Sequence, residues 1–370
     1  MHCFQSLQQD GAFFLRQPRQ FSQFFRRGSV SALDDMADQQ VVQFFRCIGH
    51  RHDGILQNSG LKTSPDARAP ILYADDVPEL PEVETIAQGL NRRVANDAIE
   101  SVWIGSRKQP LKSPAALLAC TLEGKRIVRV HRAGKHIVFD LDQGRAPRQT
   151  RDRKSSRRGR PSRPRSPRQS SPPVQWIVHL GMTGRLMVSD AASALPKHTH
   201  LVAKLASGRE LRFVDPRMFG KLSIHTGGFD PGGVEPLEAS EEQFLALFKR
   251  RKTPIKSALL NQKLLRGVGN IYADESLFRA AIAPRRRAAT LTRAELRRLR
   301  LSVREVLSEA IAAGGSSISD YVDADGEAGW FQLRHRVYGR EGEPCLVCGA
   351  AIRRIVLAGR SSHYCSQCQK

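Results

Sequence analysis

The chain has 370 residues, 40% of them hydrophobic, and a formal net charge of +23. That length allows two or three domains with a sizeable core. It contains no apolar run approaching a membrane span, and no continuous hydrophobic segment near its start that would read as a secretory signal. The charge points to a polyanion, nucleic acid first, against the simpler reading of a basic surface with no specific ligand. Residues 1–76 are neutral, with eight Lys/Arg against eight Asp, whereas 143–173 carry eleven Lys/Arg against one Asp; the remainder keeps +13 of the +23.

Taken in order, residues 1–76 have no sustained periodicity and end in a Pro- and Asp-containing stretch, so they are expected to be disordered or never translated. A helical pattern then begins abruptly. Pro81 suits a first turn, Glu82 and Glu84 suit the positive end of the helix dipole, and Val83, Ile86, Ala87 and Leu90 form one apolar face. Strand-like runs follow at 99–104, 126–130, 136–141, 176–180 and 211–214, predicting a β-sandwich or barrel packed on that helix. Residues 144–173 consist almost wholly of Arg, Ser, Pro, Gly and Gln and cannot bury a core. They read as a disordered insertion in a hairpin loop, either adding non-specific phosphate attraction or simply solvated.

Helix-spaced apolar residues return at 241–250, 254–262, 270–280 and 293–313. The last 25 residues revert to short strands punctuated by cysteine pairs. The expected fold is therefore α+β and multidomain: a β-rich domain over 77–237, a helical domain over 238–335 and a small metal module over 336–370.

Cys345-x2-Cys348 and Cys365-x2-Cys368 give four thiolates at the spacing of a tetrahedral structural Zn²⁺, with no position left open for catalysis. A ribbon this small needs the metal for its folding energy; a redox pair is the alternative. Cys3, Cys47 and Cys120 are scattered and suggest no disulfide framework, which fits a reducing, cytoplasmic setting. Between two helical patterns lies Gly267-Val268-Gly269-Asn270, a glycine turn with Asn270 placed at an N-cap. Such a turn offers N–H groups to an anion, or is ordinary helix–turn–helix packing.

Five segments occur together in one order: Pro78-Glu79-Leu80-Pro81-Glu82-Val83-Glu84-Thr85, His179-Leu180-Gly181-Met182-Thr183-Gly184, Asp215-Pro216-Arg217-Met218-Phe219-Gly220, the run 267–278, and the terminal cysteine ribbon. This set resembles the formamidopyrimidine-DNA glycosylases from Val77 to Lys370, apart from the arginine-rich insertion. Leu80 and Val83-Glu84-Thr85 resemble this branch and not the related endonuclease VIII branch.

The resemblance implies a bifunctional DNA glycosylase and AP lyase with an N-terminal β-sandwich, a helix-two-turn-helix domain and one structural Zn²⁺. It further implies a monomer in the bacterial cytoplasm whose partner is duplex DNA containing oxidised purines or abasic sites. Pro78 is then the amine nucleophile and Glu79 the acid that opens the sugar ring, with Lys135 near the lesion and Glu275 in the active site. Lys256, Asn270 and Arg360 correspond to phosphate-gripping residues, and Met182, Arg217 and Phe219 to the residues inserted where the damaged nucleotide leaves the stack. Residues 320–332 resemble a loop that closes over the lesion. Met218 and Asn261 depart from the family pattern, which more often has a basic residue and an aspartate there.

An internal proline has no amine with which to attack. A GTG codon reads as valine internally and as methionine when it initiates, so initiation at position 77 with methionine removal is expected to free Pro78. If residues 1–76 stay attached, the alternative is a non-catalytic DNA-binding protein. An oxidised-pyrimidine glycosylase of the same fold is the other alternative.

Overall fold

A computed structural model of the chain describes residues 77–142, 172–316 and 329–370. The disorder expected of 1–76 and of the insertion up to 171, and the loop residues 320–328, lie outside the described residues.

The first helix, α1 (Leu80–Val94), has Glu79 at its N-cap and Pro81 in its first turn, where a missing N–H costs nothing. Its apolar face of Val83, Ile86, Ala87, Leu90 and Val94 is buried. Two four-stranded antiparallel sheets make the sandwich. One has the order β1 (Ile99–Ile104), β6 (Thr199–Leu205), β7 (Arg209–Val214), β5 (Arg185–Asp190). The other runs β2 (Ile127–Ala133), β3 (His136–Leu141), β4 (Val174–His179), β8 (Lys221–Thr226). Their inner faces, including Leu201, Phe213, Phe139 and Trp176, share one core with the α1 stripe. Strands β5, β6 and β8 and a short helix α2 (Ala115–Leu122) are additions to the sequence reading.

Strands β3 and β4 pair antiparallel with Leu141 opposite Val174, so the arginine-rich segment joins the two arms of a hairpin. The same hairpin's other end carries His136 and His179, one residue from Lys135 and three from Met182.

The helical region comprises α3 (Glu241–Phe248), α4 (Ile255–Leu259), α5 (Asn270–Arg279) and α6 (Arg293–Ala312). Ser240 with Gln243, and Thr292 with Glu295, form capping boxes that start α3 and α6. Leu80 belongs to this second core, with Phe244, Val268, Tyr272 and Phe331, although the rest of α1's stripe faces the sandwich. Its N–H donates to the Gly267 carbonyl at 3.0 Å. The start of α1 is thus clamped where the two cores meet.

At the C-terminus β9 (Arg353–Leu357) and β10 (Arg360–Tyr364) pair as a hairpin. Its two turn residues, Ala358 and Gly359, both have positive φ (49° and 76°), the twist a two-residue hairpin turn requires. Among the described residues no helix is long and apolar enough to cross a membrane.

Candidate active site and nucleic-acid interface

The α1 N-terminus builds a buried pair of carboxylates. Glu79 is 1% exposed, and its Oε1 accepts a hydrogen bond from the Ile271 N–H at 3.1 Å. Its Oε2 is buried with no hydrogen-bond partner. Loss of hydration raises the Glu79 pKa to about 7, against the opposing pull of Lys135; Glu82 pushes it further up and the Ile271 and Tyr272 N–H groups pull it down. Glu82, one helical turn on, is treated differently. It accepts from the Tyr272 hydroxyl in a short hydrogen bond, from the Ser316 N–H at 2.8 Å and from the Glu79 N–H at 2.9 Å. Burial raises the Glu82 pKa as well, and these three donors oppose that shift, whereas Glu79 Oε2 has no donor against it.

Sequence alone assigns Glu82 only to the helix dipole. The signal that marks it further is its position three residues after Glu79, on the face of α1 that also carries Val83 and Ile86.

The glycine turn 267–269 does not open onto solvent. A Cβ on Gly267 would lie 2.8 Å from the Leu80 side chain, and one on Gly269 would lie 2.1 Å from the Glu79 carboxyl carbon. The anion held at the start of α5 is therefore Glu79 itself. The N-cap of α5 is Gly269; Asn270 is its first helical residue and is buried, one position before the donor to Glu79.

Lys135 sits in the β2–β3 turn after Gly134, whose φ is +60°. Desolvation lowers its pKa, Glu79 and Glu82 oppose that shift, and Arg360 adds to it. Pro78, Glu79, Lys135 and Arg360 thus converge on one locality, with Pro78 half-buried and Arg360 exposed as the first residue of β10. The His136 and His179 rings lie 5.0 Å apart beside it. Burial depresses the His179 pKa to about 3, helped by His136, Lys221 and Lys135, so this ring is a neutral acceptor; its Nδ1 takes the Gly181 N–H at 3.1 Å.

From there the chain enters the turn bearing Met182, which meets the turn bearing Arg217 and Phe219. Phe219 is 51% exposed, large and apolar, with the Arg217 guanidinium 5.1 Å from its ring centroid. Between them Met218 has φ +57°, a backbone that a side-chain-bearing residue adopts only when held.

Two of the candidate residues have partners inside the fold. Lys256 is 1% exposed; its Nζ lies 2.8 Å from Asp274 Oδ1 and donates to the Ser361 carbonyl at 2.6 Å. The His363 N–H donates to the other oxygen of Asp274 at 2.8 Å. Lys256 therefore ties α4 and α5 to β10 from inside. Glu275 is buried too, accepting from the N–H groups of Arg336, Val337 and Tyr338 at 2.8–2.9 Å. It anchors the segment leading into the ribbon.

The four cysteine sulfurs lie within 4.8 Å of one another, with Cys345–Cys368 at 3.9 Å and Cys348–Cys365 at 3.4 Å. Tetrahedral Zn–S bonds of ~2.3 Å put sulfurs roughly 3.8 Å apart. The cluster is positioned to bind one zinc ion, held by Cys345, Cys348, Cys365 and Cys368.

Comparison with known proteins agrees with this arrangement. Residues 77–222 match the formamidopyrimidine-DNA glycosylase N-terminal domain, 233–322 its H2TH domain, and 342–370 the zinc finger found in FPG and IleRS. The chain is 42% identical over 302 residues to the formamidopyrimidine-DNA glycosylase of Solibacter usitatus, covering 80% of this chain and 100% of that one. The Dechloromonas aromatica protein of the same name is 41% identical over 306 residues, covering 79% and 100%. Among solved structures, the MutM (Fpg) protein of Thermus thermophilus superposes with a TM-score of 0.64 at 38% identity, covering 79% of this chain and 98% of that one. Lactococcus lactis Fpg in complex with abasic-site-containing DNA gives a TM-score of 0.66 at 31% identity, covering 79% and 99%. With all three domain models in sequence and whole relatives matched end to end, the chain belongs to the formamidopyrimidine-DNA glycosylase family.

Proposed function

We propose that this protein is a base-excision repair glycosylase and AP lyase that removes oxidised purines from duplex DNA through the amine of Pro78. The observation that carries the reading is Glu79: a buried carboxyl with a free oxygen and a pKa near 7, one peptide bond from Pro78 and electrostatically coupled to Lys135.

The neutral secondary amine attacks C1′ of the flipped nucleotide, forming the N–C1′ bond as the glycosidic bond breaks, and the amine proton passes to the departing base. Glu79 gives its proton to the ring oxygen as the C1′–O4′ bond opens, leaving an iminium between Pro78 and the sugar. That iminium acidifies the C2′ proton; its loss expels the 3′ phosphate, and a second elimination expels the 5′ phosphate. The logic is that of any amine forming a Schiff base. A reference pKa of roughly 8 gives an α-amine a usable neutral fraction near pH 7. Lys135 and Arg360 supply positive charge for the flanking phosphates. Phe219 wedges into the stack, Met182 fills the vacated space and Arg217 faces the orphaned cytosine.

This chemistry needs Pro78 to be N-terminal. In support, the family match begins at 77, and the curated relatives are covered completely by about four-fifths of this chain. The organisation we propose is a β-sandwich over 77–237, a helical domain over 238–335 and a zinc ribbon over 336–370, working in the cytoplasm on chromosomal DNA. Borohydride reduction with 8-oxoguanine duplex should trap a covalent adduct with protein beginning at Pro78. Absence of the adduct would refute the amine mechanism. Stronger turnover of thymine glycol than of 8-oxoguanine would move the substrate class to oxidised pyrimidines.

A further inference from the structure

Asp215 is fully buried at the end of β7, and its carboxylate joins the two turns that carry the exposed insertion residues. Oδ1 accepts from the Thr183 hydroxyl at 2.6 Å and from the Arg217 N–H at 3.3 Å. Oδ2 accepts from the Gly220 N–H at 2.7 Å. Thr183 adjoins Met182 on one turn; Arg217 and Gly220 bracket Met218 and Phe219 on the other. The Thr183 oxygen also accepts from the Arg217 N–H, at 3.4 Å. Behind the carboxylate, the Asp215 backbone is fixed as well, its N–H donating to the His198 carbonyl at 3.0 Å and its carbonyl 2.9 Å from His200 Nε2.

The two turns touch backbone to backbone. A Cβ on Gly181 would lie 2.6 Å from both the Phe219 carbonyl carbon and the Gly220 nitrogen. Arg217 and Phe219 are exposed, so surrounding side chains cannot fix them, and Met218 holds a left-handed backbone between them. What remains to set their position is the hydrogen bonding of the turn itself. Three donors converge on two acceptor oxygens, an arrangement that an ionised carboxylate satisfies completely. An amide cannot, because its NH₂ would confront at least one of those donors.

We propose that Asp215, together with Thr183, is a positioning residue for opposite-base discrimination. It locks Met182, Arg217 and Phe219 into one rigid wedge, so that the Arg217 guanidinium meets cytosine in fixed register and a purine in that place is rejected. A side-chain donor held loosely on a turn would tolerate either base; one held by a buried carboxylate would not. The proposal rests on the glycosylase reading above.

Single-turnover excision by protein beginning at Pro78, from duplexes with 8-oxoguanine opposite cytosine or adenine, tests it. The wild-type chain should favour cytosine. D215N should cut that preference roughly tenfold, the size of one base-reading interaction, whatever overall rate it keeps. T183V, which retains the β-branched shape, should move the preference the same way, and T183S should restore it. T183V and T183S keep the test decisive if D215N fails to fold. A slower D215N or T183V with an unchanged preference overturns the proposal, since general loosening would do that. A wild-type chain that excises from neither duplex overturns the glycosylase reading instead.

Discussion

Glu79 Oε1 accepts the N–H of Ile271 at 3.1 Å across 192 residues of sequence, so the N-cap of α1 is seated in the first turn of α5. The contact joins the two large cores at the point where the proposed acid must be held. Gly269 makes it possible, because a Cβ there would sit 2.1 Å from the Glu79 carboxyl carbon. Gly269→Ala should therefore displace Glu79 by about an ångström and reduce single-turnover excision on the order of 100-fold. Overpacking should also cost about 1–3 kcal/mol of stability. Zinc content measured alongside should stay at one ion; unaltered excision would show that the Glu79 seat is not needed.

Glu79 also makes a prediction about pH. Its pKa is raised to about 7 in the folded protein from an ordinary 4.5, so the folded state binds the proton more tightly than the unfolded chain does. Below pH 4.5 both states are protonated and nothing is lost; as pH rises from 4.5 through 7 the fold loses stability. Glu79→Gln removes that penalty. The variant should gain about 2–3 kcal/mol relative to wild type between pH 5 and pH 8 in denaturant titrations. Excision should fall steeply at both pH values, because Gln has no proton to give. A stability difference that does not change with pH would place the pKa elsewhere.

The parts of the fold and of the site differ in how much of them shows in the sequence. Local signals suffice for α1, where Pro81 and the stripe from Val83 to Leu90 mark both start and face, and for the cysteine ribbon, where spacing alone implies the metal. Strand β8 escapes notice because its apolar residues are interrupted by Lys221, Ser223 and His225, with only Leu222 fully buried. Strands β5 and β6 do so because their unbroken apolar runs, 186–188 and 201–203, are too short to mark a strand. The roles of Glu82 and Asp215 depend on partners that sequence cannot place beside them, Tyr272 and Ser316 for one, Thr183 and Gly220 for the other. The internal partners of Lys256 escape the sequence for the same reason. The family resemblance implies a phosphate contact for Lys256, and only the fold brings Asp274 against it.

That ion pair separates two roles by experiment. Lys256→Met leaves Asp274 buried without its cation and should destabilise the protein by about 3–5 kcal/mol. A Lys256→Met, Asp274→Asn double variant should recover part of the loss, giving a coupling energy well outside additivity. A phosphate contact would behave differently: stability would hold and the salt slope of DNA binding would shallow by about one unit. Denaturant midpoints and salt titrations of both variants decide between them.

The zinc ligands make a related claim about Arg360, which starts the second strand of the ribbon. Metal binding supplies the folding energy of so small a unit. Cys345→Ser should lower bound zinc to well below one equivalent and weaken binding to abasic-site duplex by at least about tenfold, as Arg360 loses its platform. Full affinity in a metal-free variant would mean that the ribbon is not needed to place Arg360.

The arginine-rich segment is the last test, because its place in the fold separates charge from recognition. It joins β3 to β4 at Leu141 and Val174, whereas Lys135, His179 and Met182 lie at the opposite end of that hairpin. Six-residue strands at ~3.3 Å per residue put the two ends roughly 15–20 Å apart. Removing 144–171 keeps Pro173, whose carbonyl accepts the Gly227 N–H at 2.9 Å, and lets a short turn close the hairpin. Every phosphate the deletion leaves unneutralised should flatten the log–log salt dependence by ~0.9, so a segment with eleven Lys/Arg should change it by several units. Cytosine-over-adenine preference opposite 8-oxoguanine should not move, because Arg217, Phe219 and their Asp215 seat lie outside the deletion. A changed preference would mean that the segment reaches around the sheet to the flipped nucleotide.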